Sequence, residues 1–363
     1  MSRSALTLAA ALAVMGSSLL LGGEPVLAAS GWWVRAPFGS RPFSEIASDQ
    51  GQATLAISGG RAGWYRPSTG RFRPLPALGP PATAVAAAGR VGVVALRGGA
   101  LAVVDQDGQT RSQPSIPGVV RAIALGSHGQ LAIASSRGLF AGRLGEKLKR
   151  VAAGPATAVE APPRDGLSWL ALIGGRLWTG LRDRGWAGSE HAPRFPAGTG
   201  ALTELGSGAI LVAEAGGLIW LGQRRSWERA FQVLPAGGLD GVPRVTALAA
   251  DGWTAAYVGT DGFGTLLTPD GGYSWYRAPP PGAAVRELAT VGPVFSRRPR
   301  GMVVAVTDAG IYLHRLQVLP APPVYSPPRA SAELEGTVGV TALAVLLVTF
   351  LLWLHDRRRR ASV

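Results

Sequence analysis

The chain has 363 residues, of which 47 % are hydrophobic and only 16 % charged, with 51 glycines, 28 prolines, no cysteine and a formal net charge of +14. Apolar residues are too plentiful for a disordered chain, and the lack of cysteine excludes disulfides as well as thiol-based metal and redox chemistry. Frequent glycine predicts many short elements joined by tight turns.

In chain order, Arg3 precedes the apolar run "ALTLAAALAVMGSSLLLGG", and "EPVLAAS" follows with small residues at Val26 and Ala28. That pattern reads as a secretory signal over 1–28, cut after Ala28; the alternative is an uncleaved anchor over Ala5 to Leu21. From Ser44 onward one pattern recurs seven times. Its first runs are "SEIAS" (44), "TAVAA" (83), "RAIAL" (121), "TAVEA" (157), "TELGS" (203), "TALAA" (246) and "RELAT" (286). Their third residues are all large aliphatics: Ile46, Val85, Ile123, Val159, Leu205, Leu248 and Leu288.

Each first run is followed by two apolar runs around a glycine, as in "TLAISGGRAGWY" and "LALIGGRLWTG". Glycine there supplies the positive φ of a tight hairpin. A fourth run often carries an aromatic, as in "RSWERAF" (225–231) and "YSWYRAP" (273–279). Antiparallel meanders at this spacing predict an all-β chain: a seven-bladed β-propeller of four-stranded blades over 29–320. The seventh copy stops at "YLHRLQVLP" with no fourth run, whereas "GWWVRAP" (31–37) is a fourth run with no blade before it. Trp32 to Ala36 is therefore expected to pair with the strand around Gly310 to Leu316 and close the ring, leaving no open edge.

Three sets of residues stand out within the ring. In the first runs, positions two and four are almost all Ala or Gly, except Glu45, Glu204 and Glu287 at the second and Glu160 at the fourth. Alternate strand residues share a face, so these carboxylates are expected near the axis, as a weakly acidic channel mouth for a cation or a basic side chain. The alternative is plain solvation of a water-filled channel. Arg297, Arg298 and Arg300 in "SRRPRG" (296–301), with Arg224 and Arg225 in "QRRSW", form a candidate patch for an anionic partner, the alternative being a solvated loop. His128, His191 and His314 lie in different repeats, are expected in turns or at the surface, and imply no metal site. No cofactor is expected.

The third set is "TPDGGYSW" in the sixth copy, where Thr268, Asp270, Gly272, Ser274 and Trp275 follow the pattern Ser/Thr-x-Asp-x-Gly-x-Ser/Thr-Trp. This resembles the Asp-box, the bacterial-neuraminidase repeat. The flanking blade is similar to exported YVTN-like propellers, including photosystem II assembly factors and sortilin-type ectodomains. The residues read as a structural set: Asp270 collecting turn N–H groups, Gly272 supplying a special backbone conformation, and Trp275 burying its ring between sheets. The resemblance also implies a sialidase as the alternative function. The early Phe/Tyr-Arg-Ile-Pro motif of such enzymes is missing, however: the nearest stretch, "RFRPLP" (71–76), has no isoleucine. Nor does any carboxylate pair stand out for glycosidase chemistry.

After the ring, 321–335 is a proline-rich linker containing "APPVYSPPRA". Gly336 to Leu354 then runs uncharged for nineteen residues, about 28 Å of helix, enough for a transmembrane span. Four arginines in "HDRRRRASV" (355–363) place that end in the cytoplasm. The exported part from Ala29 to Glu335 holds 31 basic and 20 acidic residues, a charge of +11. The expected function is a non-catalytic platform, held in the cell membrane, for another envelope or membrane protein or an anionic polymer. Nucleic acid is excluded by the compartment. The alternative is a glycan-binding or glycan-hydrolysing surface protein.

Overall fold

The computed structural model describes residues 33–36, 43–49, 51–162, 167–181, 185–223, 225–233, 244–250, 252–277, 284–292 and 301–315. These residues form seven four-stranded antiparallel sheets, each with its strands in simple sequential order. The innermost strands are Phe43–Ile46, Ala82–Ala88, Val120–Leu125, Ala156–Glu160, Ala201–Glu204, Val245–Ala250 and Val285–Val291. Their residues line a central cavity of about 1040 Å³. The result is a seven-bladed β-propeller. The signal segment, the linker, the expected helix at 336–354 and the basic tail lie outside the described residues. Among the described residues no helix is long and apolar enough to cross a membrane.

The hairpins follow from glycine where positive φ is required. Between the second and third strands of blade 1, Gly59 and Gly60 sit at φ +58° and +76° and join Thr54–Ser58 to Arg61–Arg66 in register Ser58↔Arg61. Blade 7 closes as expected. Val34 and Arg35 pair with Leu313 and Tyr312, and Ala36 N–H donates to the Ile311 carbonyl at 2.9 Å. A second latch joins the inner ends of blades 1 and 7: Asp49 N–H donates to Thr290 O at 2.8 Å, and Gly292 N–H donates to Asp49 O at 2.8 Å.

Because each sheet stands edge-on to the axis, its two faces meet the two neighbouring blades, and the core is divided among the seams. Leu55, Ile57 and Trp64 of blade 1 pack on Val85, Val94 and Val104 of blade 2. Leu205, Leu211 and Leu221 of blade 5 pack on Val258 and Leu266 of blade 6. Between blades 6 and 7, Trp33 lies edge-on to Tyr257 (6.0 Å between centroids) and 5.6 Å from the His314 ring. Glycines let these faces approach: a Cβ on Gly92 would sit 2.2 Å from Leu55 Cδ1.

In every blade but the fifth, the innermost pairing slips by one residue near its start, at Ser44, Thr83, Arg121, Thr157, Thr246 and Arg286. Such a bulge adds one unpaired residue and sharpens the local twist. Blade 5 pairs without a slip, Ala201↔Ala213 through Glu204↔Ile210. Matching Ala201 to Ala84, each paired to the residue that precedes a four-residue turn, aligns "GALTE" (200–204) with "TAVAA". The expected alignment through "TELGS" is three residues out, and Leu202, not Leu205, is the counterpart of Val85.

Candidate functional site

The seams explain where the four carboxylates go. Side chains at alternate positions of an innermost strand point sideways at the adjacent blade, not inward at the axis. Glu45 Oε1 accepts the Val85 N–H of blade 2 at 2.9 Å. Glu160 Oε1 accepts the Thr203 hydroxyl of blade 5 at 2.8 Å. Glu287 of blade 7 points toward Glu45, whose charge it feels. Glu45, Glu160 and Glu287 thus border the cavity near the axis, and Glu45 and Glu160 are hydrogen-bonded across seams, which departs from the alternative of plain solvation.

Glu204 departs further. A shift of three residues is odd and turns a strand residue to the opposite face, so Glu204 points back to blade 4. There its Oε2 accepts the Ser168 N–H at 3.0 Å, and the residue is 4 % exposed.

Low polarity at the seams sets the protonation of these groups. Burial pushes the Glu45 carboxyl up to about 7 against the opposing Val85 N–H. Burial raises Glu160 to about 8; the Thr203 hydroxyl opposes this and the negative charge of Glu204 adds to it. Glu287 is held well above the usual carboxylate range by burial and then by the charge of Glu45, opposed by the Leu288 N–H. Desolvation of an acid favours its neutral form, so at neutral pH Glu160 is mostly protonated and Glu45 is divided about equally between its two forms.

In "TPDGGYSW" the polar atoms form a closed set. Asp270 Oδ1 accepts the Thr268 hydroxyl (3.0 Å), the Tyr273 N–H (3.1 Å) and the Ser274 N–H (2.8 Å), while Oδ2 accepts the Ser274 hydroxyl. Gly272, at φ +107°, donates its N–H to Thr268 Oγ1 at 2.7 Å, and Trp275 Nε1 donates to the Gly272 carbonyl at 2.9 Å. The Trp275 ring stacks on Phe231 of blade 5 at 5.3 Å. Every lone pair that Asp270 uses here points into its own turn.

The basic patch is described only at Arg225, which is exposed; Arg224, Arg297, Arg298 and Arg300 lie outside the described residues. His128 and His191 are exposed, and His128 borders the cavity. His314 departs from the expectation: it is 7 % exposed and packs against the rings of both Trp33 and Tyr257. Among the described residues no group of three or more His, Cys, Asp or Glu is placed to hold a metal ion.

Sequence reasoning also missed two exposed aromatics on one face of blade 6. Trp253 is 54 % and Tyr273 52 % exposed. Their turns are tied together, with Gly271 N–H donating to Thr254 O at 2.7 Å and the Thr254 hydroxyl to Pro269 O at 2.8 Å. Blade 5 holds both: Ser207 N–H donates to Trp253 O at 2.9 Å, and Gln223 Nε2 donates to the Tyr273 hydroxyl at 2.8 Å. Tyr273 fills a free position of the motif, a signal that it is presented outward.

No protein-family model matches this chain, and no curated protein sequence matches it. Solved structures do. The chain is similar to YCF48 bound to D1 peptide, with a TM-score of 0.58 and 14 % identity over 80 % of this chain and 96 % of that one. U3-55K matches at 0.61 and 12 % identity over 79 % and 99 %. PorZ, a surface component of the type-IX secretion system of Porphyromonas gingivalis, matches at 0.53 and 13 % identity over 80 % of this chain and 40 % of that one. At such identities the likeness establishes the fold alone: this chain is a β-propeller.

Proposed function

We propose that this chain is an exported, membrane-anchored β-propeller that works without catalysis, as a docking or assembly platform for another envelope or membrane protein or an anionic polymer. The observation that carries this reading is the presented pair Trp253 and Tyr273. Exposed Trp and Tyr, with Arg, are the residues that dominate protein interfaces. Here their turns are already fixed by cross-blade hydrogen bonds, so little ordering entropy is lost when a partner binds. Arg225 follows Gln223 by two positions and adds positive charge to the same blade end. YCF48, which shares the fold, was solved with a peptide bound, which supports a protein or peptide partner over a small substrate. Export and anchoring rest on the signal-like run at 1–28 and the uncharged run at 336–354 with its four arginines.

The test is crosslinking and affinity capture of the full chain from its native membrane, comparing wild type with the double variant Trp253→Ala/Tyr273→Ala. A discrete partner recovered with wild type and depleted at least severalfold with the variant is the expected result. Equal recovery would remove this face as the docking surface. Sialoside or glycoside turnover by the purified protein, lost on substituting Glu45 or Glu287, would replace the platform reading by the glycan-directed one.

A further inference from the structure

Glu160 is the one ionisable residue at the fourth position of an innermost strand; its counterparts are Ala47, Ala86, Ala124, Thr203, Ala249 and Ala289. The strand borders the central cavity of about 1040 Å³. Of the two Glu160 oxygens, Oε1 accepts the Thr203 hydroxyl, whereas Oε2 is buried and has no hydrogen-bond partner. A buried polar atom left in that state calls for a water, an ion or a ligand group. The neighbourhood is acidic: Glu204 turns back toward the same seam, and its charge acts on Glu160. The hydroxyl of Thr157, on the same strand, is already committed to Thr199 O at 2.6 Å.

We infer that the seam between blades 4 and 5, where it borders the central cavity, binds a primary ammonium group, carried by a lysine side chain or chain terminus of a partner that enters the channel. One unfilled oxygen beside a second carboxylate suits a compact point donor better than a guanidinium fork, which needs two acceptors side by side. Among the described residues no third carboxylate or imidazole is placed here to hold a metal ion. Among the described residues, the other ionisable groups lining the cavity are Glu45, Asp49 and Glu287, with Arg121 and His128 of blade 3. Beyond a Debye length of roughly 8 Å the overall positive charge of the chain is screened, so contact carboxylates decide the local preference.

Binding is linked to a proton. Glu160 titrates near 8 and is protonated at pH 7. The ammonium displaces that proton: the carboxylic acid and R–NH₃⁺ become the carboxylate–ammonium pair plus one H⁺, with no covalent change to the ligand. Only the source of the ammonium rests on the platform reading. Failure of the small probes below removes this site and leaves the platform standing, whereas failure of the capture experiment does the reverse.

The test uses the full-length protein in detergent and isothermal titration with n-butylammonium and Nα-acetyl-lysine amide at pH 6 and pH 8. Two buffers of different ionisation heat count the protons released, and tetramethylammonium, which has no N–H donor, is the control. Expected are saturable 1:1 binding of the two ammonium probes, affinity higher at pH 8 than at pH 6 by on the order of tenfold or more, and release approaching one proton at pH 6. Tetramethylammonium should not bind. Glu160→Gln should lose at least about tenfold in affinity, together with the proton release. Thr203→Val keeps the carboxylate but removes the hydrogen bond that favours its charged form; it should still bind, with its pH midpoint moved upward. No saturable binding at either pH overturns the proposal. So does undiminished affinity in Glu160→Gln with native circular dichroism, which would leave Oε2 to water.

Discussion

The protonated seams make a specific prediction about stability and pH. An ordinary glutamate titrates at 4.5, and Glu160 in the folded ring near 8. Between those values the unfolded chain has lost a proton that the folded chain still holds, so stability is greatest below about pH 4.5 and falls as pH rises, levelling off above 8. At about 1.4 kcal/mol per unit, Glu160 alone removes ~3 kcal/mol by pH 7 and ~5 kcal/mol across the whole window. Glu45, which titrates near 7, and Glu287, also raised, act in the same direction. Glu160→Gln keeps an acceptor for Thr203 and cannot ionise. It should flatten the stability–pH profile and gain about 1–2 kcal/mol at pH 7, after allowing ~1–2 kcal/mol for its unpartnered amide N–H₂. Urea unfolding of the purified protein between pH 5 and pH 8.5, followed by near-ultraviolet circular dichroism, measures both quantities. Parallel profiles for variant and wild type would refute the assignment of a buried, protonated carboxyl to this seam.

Four further outcomes follow from the geometry. Asp270→Ala strips the acceptor from two backbone N–H groups and two hydroxyls and should cost about 2–4 kcal/mol, seen as a lowered thermal midpoint with no change in ammonium binding. Trp33→Ala removes a 7 %-exposed indole from the closing blade and should cost about 3–5 kcal/mol, with faster proteolysis at the N-terminus. Gly259→Ala brings a Cβ to 2.7 Å from Val285 Cγ1; it should cost about 1–3 kcal/mol and lower the urea midpoint. Trp253→Ala and Tyr273→Ala are surface changes and should leave the midpoint within about 0.5 kcal/mol of wild type while depleting the captured partner.

Much of the ring was legible because its signals are local. A glycine between two apolar runs makes a hairpin wherever it occurs, and a fourth run with no blade of its own can only complete one that lacks it. The hydrogen-bond set of Asp270 was readable for the same reason, since all of its partners lie within four residues. What escaped depends on neighbours distant in sequence. Periodicity tells which residues of an innermost strand share a face, but not that the face meets another blade, so the seam partners of Glu45 and Glu160 are not readable from it. Blade 5 lacks the bulge of its siblings, and "TELGS" imitates "TAVAA" closely enough to hide a three-residue offset. His314 is enclosed by Trp33 and Tyr257, which arrive from the other end of the ring and from the preceding blade.

The closing blade also determines how the ring bears load. The strand Gly310–Arg315 is the last among the described residues, yet it is not an edge: Met302–Thr307 pairs with it on one side and Val34–Arg35 on the other. Tension applied to the chain beyond Arg315 would act along a strand laced on both flanks. It would have to shear two ladders together, where a terminal edge strand would peel away one hydrogen bond at a time. Pairing with Val34–Arg35 thus makes this strand a rivet where an edge would be a zipper.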